Sequence, residues 1–304
     1  MKVSIASITY NHENYIRQAL DSWLSQECDF ETEIIIGDDC SKDSTQDIIR
    51  SYQEKYPEKI RLIANEKNVG HQRNLYNVLK ECTGDYIAIC AGDDYWIDNH
   101  KLKKQVDCFS SNSDATLVFT SCLIDDGAEA PNRRLLPYNE DLSFDIYEYL
   151  AQKSGTASPS MMIKPPDFDS MNLDNWFNTM LEDEYLYSVM MRNGGLAYFL
   201  ADNTTCYRIH NSGLNSKQSL AKQVYFKIRL LHNIKLEFQD DKKALSIIHQ
   251  TIKERMEPLF HYTFEGVKGI PRFDLIRLFL RYRTRVFIDL RLYYNWYLKR
   301  LFGR

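Results

Sequence analysis

Two adjacent carboxylates, Asp93 and Asp94, end a short apolar run, Tyr86-Ile87-Ala88-Ile89-Cys90-Ala91-Gly92. Like charges side by side repel, and each needs water, a cation or a hydrogen-bond donor. At the end of a buried strand such a pair suits a divalent metal, which would in turn hold an anion. Other polar clusters follow other apolar runs: Thr9-Tyr10-Asn11, Asp38-Asp39, and the stretch from Asn65 to Gly70. Further along stand an acidic run, Leu181-Glu182-Asp183-Glu184, and a mixed group, Tyr207-Arg208-Ile209-His210. A neutral imidazole suits a borderline cation such as Mn²⁺, an arginine can neutralise a phosphate, and a placed carboxylate can take a proton.

These groups meet only if strands deliver them to one edge. Residues 3–8, 33–37, 60–64 and 86–90 are predicted strands. Between them, residues 11–26, with Asn11 as cap, 44 to about 57, and 74–82 carry apolar residues at helical spacing. This βαβα rhythm predicts a mostly parallel sheet covered by helices, in which ligands gather at the carboxyl ends of the strands. Beyond residue 125 the pattern loosens. Residues 125–137 read as loop, 146–150 as a short helix, 161–163 as a strand and 173–192 as one helix ended by Gly194-Gly195. Residues 196–200 and 204–208 read as two strands, and 214–264 as helical, broken by Gly266, Gly269 and Pro271.

With 304 residues, 44% of them hydrophobic and 26% charged, the composition is that of a globular protein. No apolar stretch reaches the roughly 18 residues of a spanning helix, and the first residues lack the layout of a signal peptide. The seven cysteines are scattered singly with no C-x-x-C, which favours reduced thiols in a cytoplasm over disulfides or zinc. The net charge of -4 hides an asymmetry, because residues 268–304 carry ten Lys or Arg against two Asp, a basic tail on an acidic body. From Arg272 on, that tail bears an apolar stripe flanked by Arg and Tyr. It fits an interfacial helix on an anionic membrane, and equally a helix packed on the body or on a second subunit. Basic and aromatic residues interleave as in nucleic-acid binders, but the acidic body and the lack of a binding motif argue against nucleic acid.

Taken in order, residues 3–26, 34–45, 68–70, 84–96 and 207–210 resemble a family 2 glycosyltransferase with the GT-A fold. The resemblance is strong over residues 1–110, weaker over about 175–212, and absent beyond about 220. It implies a catalytic domain over 1–213, with a nucleotide-sugar half (1–110) and an acceptor half (111–213), then a helical C-terminal region over 214–304. It implies an inverting transfer from a UDP-sugar to a glycan, with Mn²⁺ or Mg²⁺ as cofactor. A bacterial capsule or lipopolysaccharide pathway, a lipid-linked acceptor and a place at the inner face of the cytoplasmic membrane follow by analogy.

Residue by residue, the resemblance assigns Thr9, Tyr10, Asn11, Asp38 and Asp39 to the base and ribose, where an aromatic can stack and a carboxylate can accept. Tyr10 as core and Asp38 or Asp39 as turn caps is the other reading. Asp94 aligns with the metal and Asp93 with the ribose side of the same motif. Ala91 departs from the pattern, since family members often carry an acid there, and this shifts weight to His210 as a further ligand. Arg208 and Arg73 are phosphate candidates, with Asn68 beside them. Asp183 is the expected general base and Glu182 its rival. Trp96 and Ser158-Pro159-Ser160 fall on the acceptor side. A sugar nucleotidyltransferase would want a Gly-rich phosphate loop after the first strand, and a dinucleotide oxidoreductase a G-x-G-x-x-G. Thr9-Tyr10-Asn11-His12-Glu13 is neither. A glycan-binding or scaffold protein that kept the fold without the chemistry is the non-enzyme alternative.

Overall fold

The computed structural model describes residues 1–127, 130–131, 133–151, 156–211, 213 and 218–264. The basic tail of residues 272–304 lies outside the described residues, as does residue 214, where the C-terminal helical region is predicted to begin. The first half alternates β1 (Lys2–Thr9), α1 (Ile16–Leu24), β2 (Glu31–Asp38), α2 (Thr45–Lys55), β3 (Ile60–Ala64), α3 (His71–Glu81) and β4 (Tyr86–Ile89). Then come β5 (Tyr95–Trp96), α4 (Lys101–Ser111), β6 (Ala115–Asp125), β7 (Arg133–Arg134), β8 (Leu142–Phe144), α5 (Ile146–Leu150) and β9 (Met162–Ile163). The chain continues through α6 (Leu173–Phe177), α7 (Glu182–Met191), β10 (Leu196–Arg208), α8 (Leu220–Ile234) and α9 (Lys242–Phe264).

The strands form one sheet in the order β3-β2-β1-β4-β9-β6-β10-β5, with β7 on β6 and β8 on β10. Pairs β1–β2, β2–β3, β1–β4 and β6–β10 are parallel. The two-residue β9 runs antiparallel between β4 and β6, so the six long strands all point the same way. Because side chains alternate along a strand, neighbours enter opposite cores. Ile5, Ile34, Ile36, Ala88 and Val118 pack beneath α1, α2 and α4, while Ala6, Ile35, Ile87, Leu117 and Phe119 pack beneath α3, α7 and the C-terminal helices. Strands buried on both faces explain the unbroken apolar runs.

Four predicted elements differ in detail. Asn11 does not cap α1; it sits in a left-handed turn at φ 55, its Oδ1 accepts from the Lys42 amide at 2.8 Å, and the helix begins at Ile16. Helix α3 starts earlier than predicted, at His71, because Gly70 at φ 87 turns the chain directly into it. The single helix predicted over 173–192 is two: Asn172 caps α6 through the Asn175 amide, and the chain restarts at Glu182. The two strands predicted over 196–208 are one, bent by register shifts around Asn203. Residues 101–125, for which no element is predicted above, hold α4 and the central β6. That strand buries Thr120 and Ser121, and Thr120 hydrogen-bonds Thr204 at 2.6 Å across to β10.

Candidate active site

The common direction of the long strands brings their carboxyl ends together. Thr9 pairs with Asp38 and Asp38 with Ala64, while Asp125 pairs with Arg208 farther along the sheet. Beside the last pair opens a cavity of about 680 Å³, lined by Tyr15, Asp125, Asp126, Arg208 and His210 among others.

Asp93 is the focus of this edge. Its Oδ2 lies 3.0 Å from His210 Nε2 and 3.6 Å from His12 Nε2. Burial raises the Asp93 carboxyl, but the hydrogen bond from His210 and the charges of both imidazoles outweigh it, and Asp93 titrates below the usual range. Asp94 points inward. It is buried, its Oδ1 accepts from the Arg208 amide at 2.8 Å, and burial together with the Asp93 charge pushes it well above the usual carboxylate range. Arg208 is a clamp across the edge: its guanidinium donates to the Asp93 carbonyl and to Gln18 Oε1, stands 3.4 Å from Asp125, and lies between the rings of Tyr15 (4.9 Å) and Tyr95 (4.7 Å).

On the far side of the sheet edge, Asp38 and Asp39 face their own loops. Asp38 accepts from the Ser41 amide and hydroxyl and from Gln46. Asp39 accepts from the amides of Val69 (2.7 Å) and Gly70 (2.9 Å), and Asn68 donates to the Asp39 carbonyl at 3.3 Å. Thr9 is buried against Gly92, whereas Tyr10 is 43% exposed and its ring is open to a partner. Arg73 lies elsewhere, its guanidinium 3.7 Å from the centroid of the Phe177 ring.

At the start of α7 three consecutive acids have three different partners. Glu182 Oε1 lies 2.6 Å from His71 Nδ1, and Glu184 pairs with Lys227. Asp183 accepts from the Ser158 hydroxyl, not from a cation, and from the Glu184 amide at 2.8 Å. Trp96 donates to the Pro159 carbonyl at 3.0 Å and so fixes the turn that presents Ser158. Burial raises Glu182; the Glu182 contact raises His71 against burial, which lowers it. The two shifts oppose each other, since a protonated Glu182 would no longer raise His71. What both describe is a pair that shares one proton.

The sequence profile of glycosyl transferase family 2 matches residues 4–164. The chain belongs to this family. Among its relatives, an uncharacterised protein of Mycobacterium tuberculosis is 36% identical over 214 residues, covering 70% of this chain and 60% of its own. The chain thus spans about 60% of the length of that relative. The putative teichuronic acid biosynthesis glycosyltransferase TuaG of Bacillus subtilis is 29% identical over 241 residues, 76% of this chain and 89% of its own. In structure, residues 1–349 of Staphylococcus aureus TarS in complex with UDP-GlcNAc superpose with a TM-score of 0.67 at 18% identity, over 93% of this chain and 80% of that one. The fold is GT-A.

Within this family member the structure brings together Asp93, Asp94, Arg208 and His210, gathers Thr9, Tyr10, Asn11, Asp38, Asp39 and Asn68 on the neighbouring strand ends, and sets Glu182 and Asp183 at the head of α7. It adds His12, Tyr15 and Asp125, none of which the sequence singles out. The signal for Asp125 was there, another acid at the end of an apolar run. Among the described residues no three carboxylate, imidazole or thiol groups form a ready-made metal cage. Two ligands sharing one small divalent cation stand about 3 Å apart, however, and Asp93 and His210 are at 3.0 Å. A cation bound by few protein groups and completed by substrate phosphates fits this edge. Among the described residues no helix is long and apolar enough to cross a membrane.

Proposed function

We propose that the chain is an inverting glycosyltransferase that moves a hexose or N-acetylhexosamine from a UDP-sugar to a glycan acceptor of a surface polysaccharide. The observation that carries this reading is the 3.0 Å convergence of Asp93 and His210 at the strand ends, with Asp94 anchored behind them. Asp93 and His210 would hold Mn²⁺ or Mg²⁺ there, with Asp94 behind them fixing the Arg208 backbone. Such an ion supplies charge stabilisation to a departing nucleoside diphosphate. The base and ribose lie over Thr9, Tyr10, Asn11, Asp38, Asp39 and Asn68, with the exposed Tyr10 ring as the stacking surface. Arg208 keeps a positive charge in the cluster while bracing the Asp93 backbone.

Asp183 takes the proton of the acceptor hydroxyl. Among the described residues it is the one acid of its run whose side chain meets a hydroxyl, where Glu182 meets His71 and Glu184 meets Lys227. The Ser158 hydroxyl orients it. TarS was solved with UDP-GlcNAc and TuaG is named for teichuronic acid synthesis, which supports a UDP-sugar donor and a surface polymer. The seven free cysteines suit a reducing cytoplasm, and the basic tail suits the anionic membrane that carries a lipid-linked acceptor. UDP release measured over a panel of UDP-sugars with Mn²⁺ tests the reading. Asp94→Asn and Asp183→Asn are each expected to lower turnover at least 100-fold; failure of every UDP-sugar to turn over would refute it.

A further inference from the structure

We propose that His71 is a positioning residue for Asp183. It acts through Glu182 and couples the loop that holds the donor to the group that takes the acceptor's proton. The proposal rests on the reading of Asp183 as general base.

Three contacts in sequence make the connection. Asp39 binds the amides of Val69 and Gly70 at 2.7 and 2.9 Å, which fixes the chain entering α3. His71 is the first residue of α3, and its Nδ1 lies 2.6 Å from Glu182 Oε1 on α7. Glu182 precedes Asp183 in the first turn of α7, so whatever fixes the Glu182 backbone fixes the direction of Asp183. The next residue of α3 strengthens the link, since Gln72 Nε2 donates to the Thr179 carbonyl at 2.9 Å, just ahead of α7.

The chemistry of the pair favours this role over simple packing. Both side chains are largely buried, 17% and 11% exposed, where a lone carboxylate beside Asp183 is costly. His71 Nε2 is buried without a hydrogen-bond partner, so Glu182 is the group that sets the ring's orientation. Burial lowers the His71 pKa, and the Glu182 contact together with the charges of Asp183 on α7 and Asp39 in the donor-side loop raises it. Carboxylates on both sides of the site therefore act on one imidazole, which touches Glu182. A change in the Asp39 loop on donor binding moves the anchor of α7 directly. The general base is thereby aimed when the donor is in place, and proton abstraction without a donor to react with is disfavoured.

The test is a double-mutant comparison. His71→Gln is expected to lower kcat about 10- to 100-fold with donor KM changed less than about threefold. Glu182→Asp, which keeps the charge but shortens the arm, should do the same, and it serves if His71→Gln does not fold. In an Asp183→Asn background, His71→Gln should cost nothing further, because the group it positions is gone. A general packing defect would persist in that background and would overturn the proposal, as would wild-type kcat in either single variant. A second measurement does not need turnover. UDP with Mn²⁺ should slow amide exchange over residues 182–186 in the wild type and fail to do so in His71→Gln. Equal slowing in both refutes the coupling and leaves the glycosyltransferase reading intact. No UDP binding to the wild type removes that reading and the proposal with it.

Discussion

Lys101 takes its amine into the core, where among the described residues no carboxylate forms an ion pair with it. The side chain is fully buried; its Nζ donates to Gln105 Oε1 at 2.6 Å and stands 4.4 Å from the centroid of the Trp96 ring. Burial lowers its pKa from 10.5 to about 7. Between those values the unfolded chain binds a proton that the folded chain does not, so stability rises with pH across this window and is lowest below it. A folded value of about 7 against 10.5 makes the penalty about 4 kcal/mol at pH 7 and about 3 kcal/mol at pH 8.5. Lys101→Met removes the titration and keeps the volume. It also gives up the Gln105 contact, at about 1–2 kcal/mol. That loss is nearly independent of pH, so the slope is diagnostic. Urea unfolding followed by tryptophan fluorescence at pH 7.0, 7.5, 8.0 and 8.5 should show the variant losing about 1–2 kcal/mol of stability relative to the wild type across the series. Above this range the buried thiols of Cys90 and Cys122, both raised by burial, add a term of opposite sign in both proteins. A stability difference flat to within about 0.5 kcal/mol would mean that Lys101 stays charged in the core and would refute the reasoning.

Gly37→Ala should destabilise by about 2–4 kcal/mol in urea unfolding, because its Cβ would lie 2.4 Å from Asn74 Oδ1 and 2.6 Å from Val78 Cγ2, and moving Asn74 breaks its 2.8 Å bond to the Gly37 carbonyl. Asp39→Ala leaves the Val69 and Gly70 amides without their acceptor; a loss of about 2 kcal/mol and weaker UDP binding by calorimetry are expected, with no change if solvent replaces the carboxylate. Asp93→Asn removes the negative charge that His210 touches and His12 approaches; Mn²⁺ titrated in the presence of UDP and read by electron spin resonance should bind at least tenfold more weakly. Retained Mn²⁺ affinity would move the metal away from the Asp93–His210 edge.

The alternating half of the fold is legible because local signals agree with it. Ile34, Ile35 and Ile36 are apolar in succession, and each finds a core, two beneath α1 and α2 and one beneath α3. Residues 115–125 read poorly for a physical reason. Thr120 and Ser121 break the apolar run, and Thr120 is satisfied by Thr204, 84 residues away, which no local pattern reveals. The same limit applies at the site. Strand ends announce Asp38, Asp39, Asp93 and Asp94 by position, but the partner of each is set by tertiary packing. His71 meets Glu182 across 111 residues, and His12 meets Asp93 only because two parallel strands end side by side. The break that separates α6 from α7 is invisible to helical periodicity, since apolar spacing runs through it.

Ala91 stands where the resemblance leads one to expect another acid, and the structure shows how the edge is balanced without it. Asp94 is buried and held toward its neutral form, which leaves Asp93 as the anionic member of the pair. His210, from the segment after β10, hydrogen-bonds that carboxylate at 3.0 Å; His12, from the loop after β1, stands 3.6 Å away with its pKa lowered by burial; and Arg208 braces the Asp93 carbonyl. A third carboxylate at position 91 would add a charge close to a buried aspartate already raised by its neighbour. With alanine there, three separate segments of chain assemble the edge around the Asp93 carboxylate. A divalent ion arriving with a diphosphate then brings its own counter-charge and does not depend on the protein for a full set of acids. On this argument Ala91→Asp should raise Mn²⁺ affinity in the absence of nucleotide while lowering stability by about 1–3 kcal/mol. Calorimetric Mn²⁺ titration paired with urea unfolding reads both quantities, and a variant that binds Mn²⁺ no better and folds as stably would refute the charge-balance account.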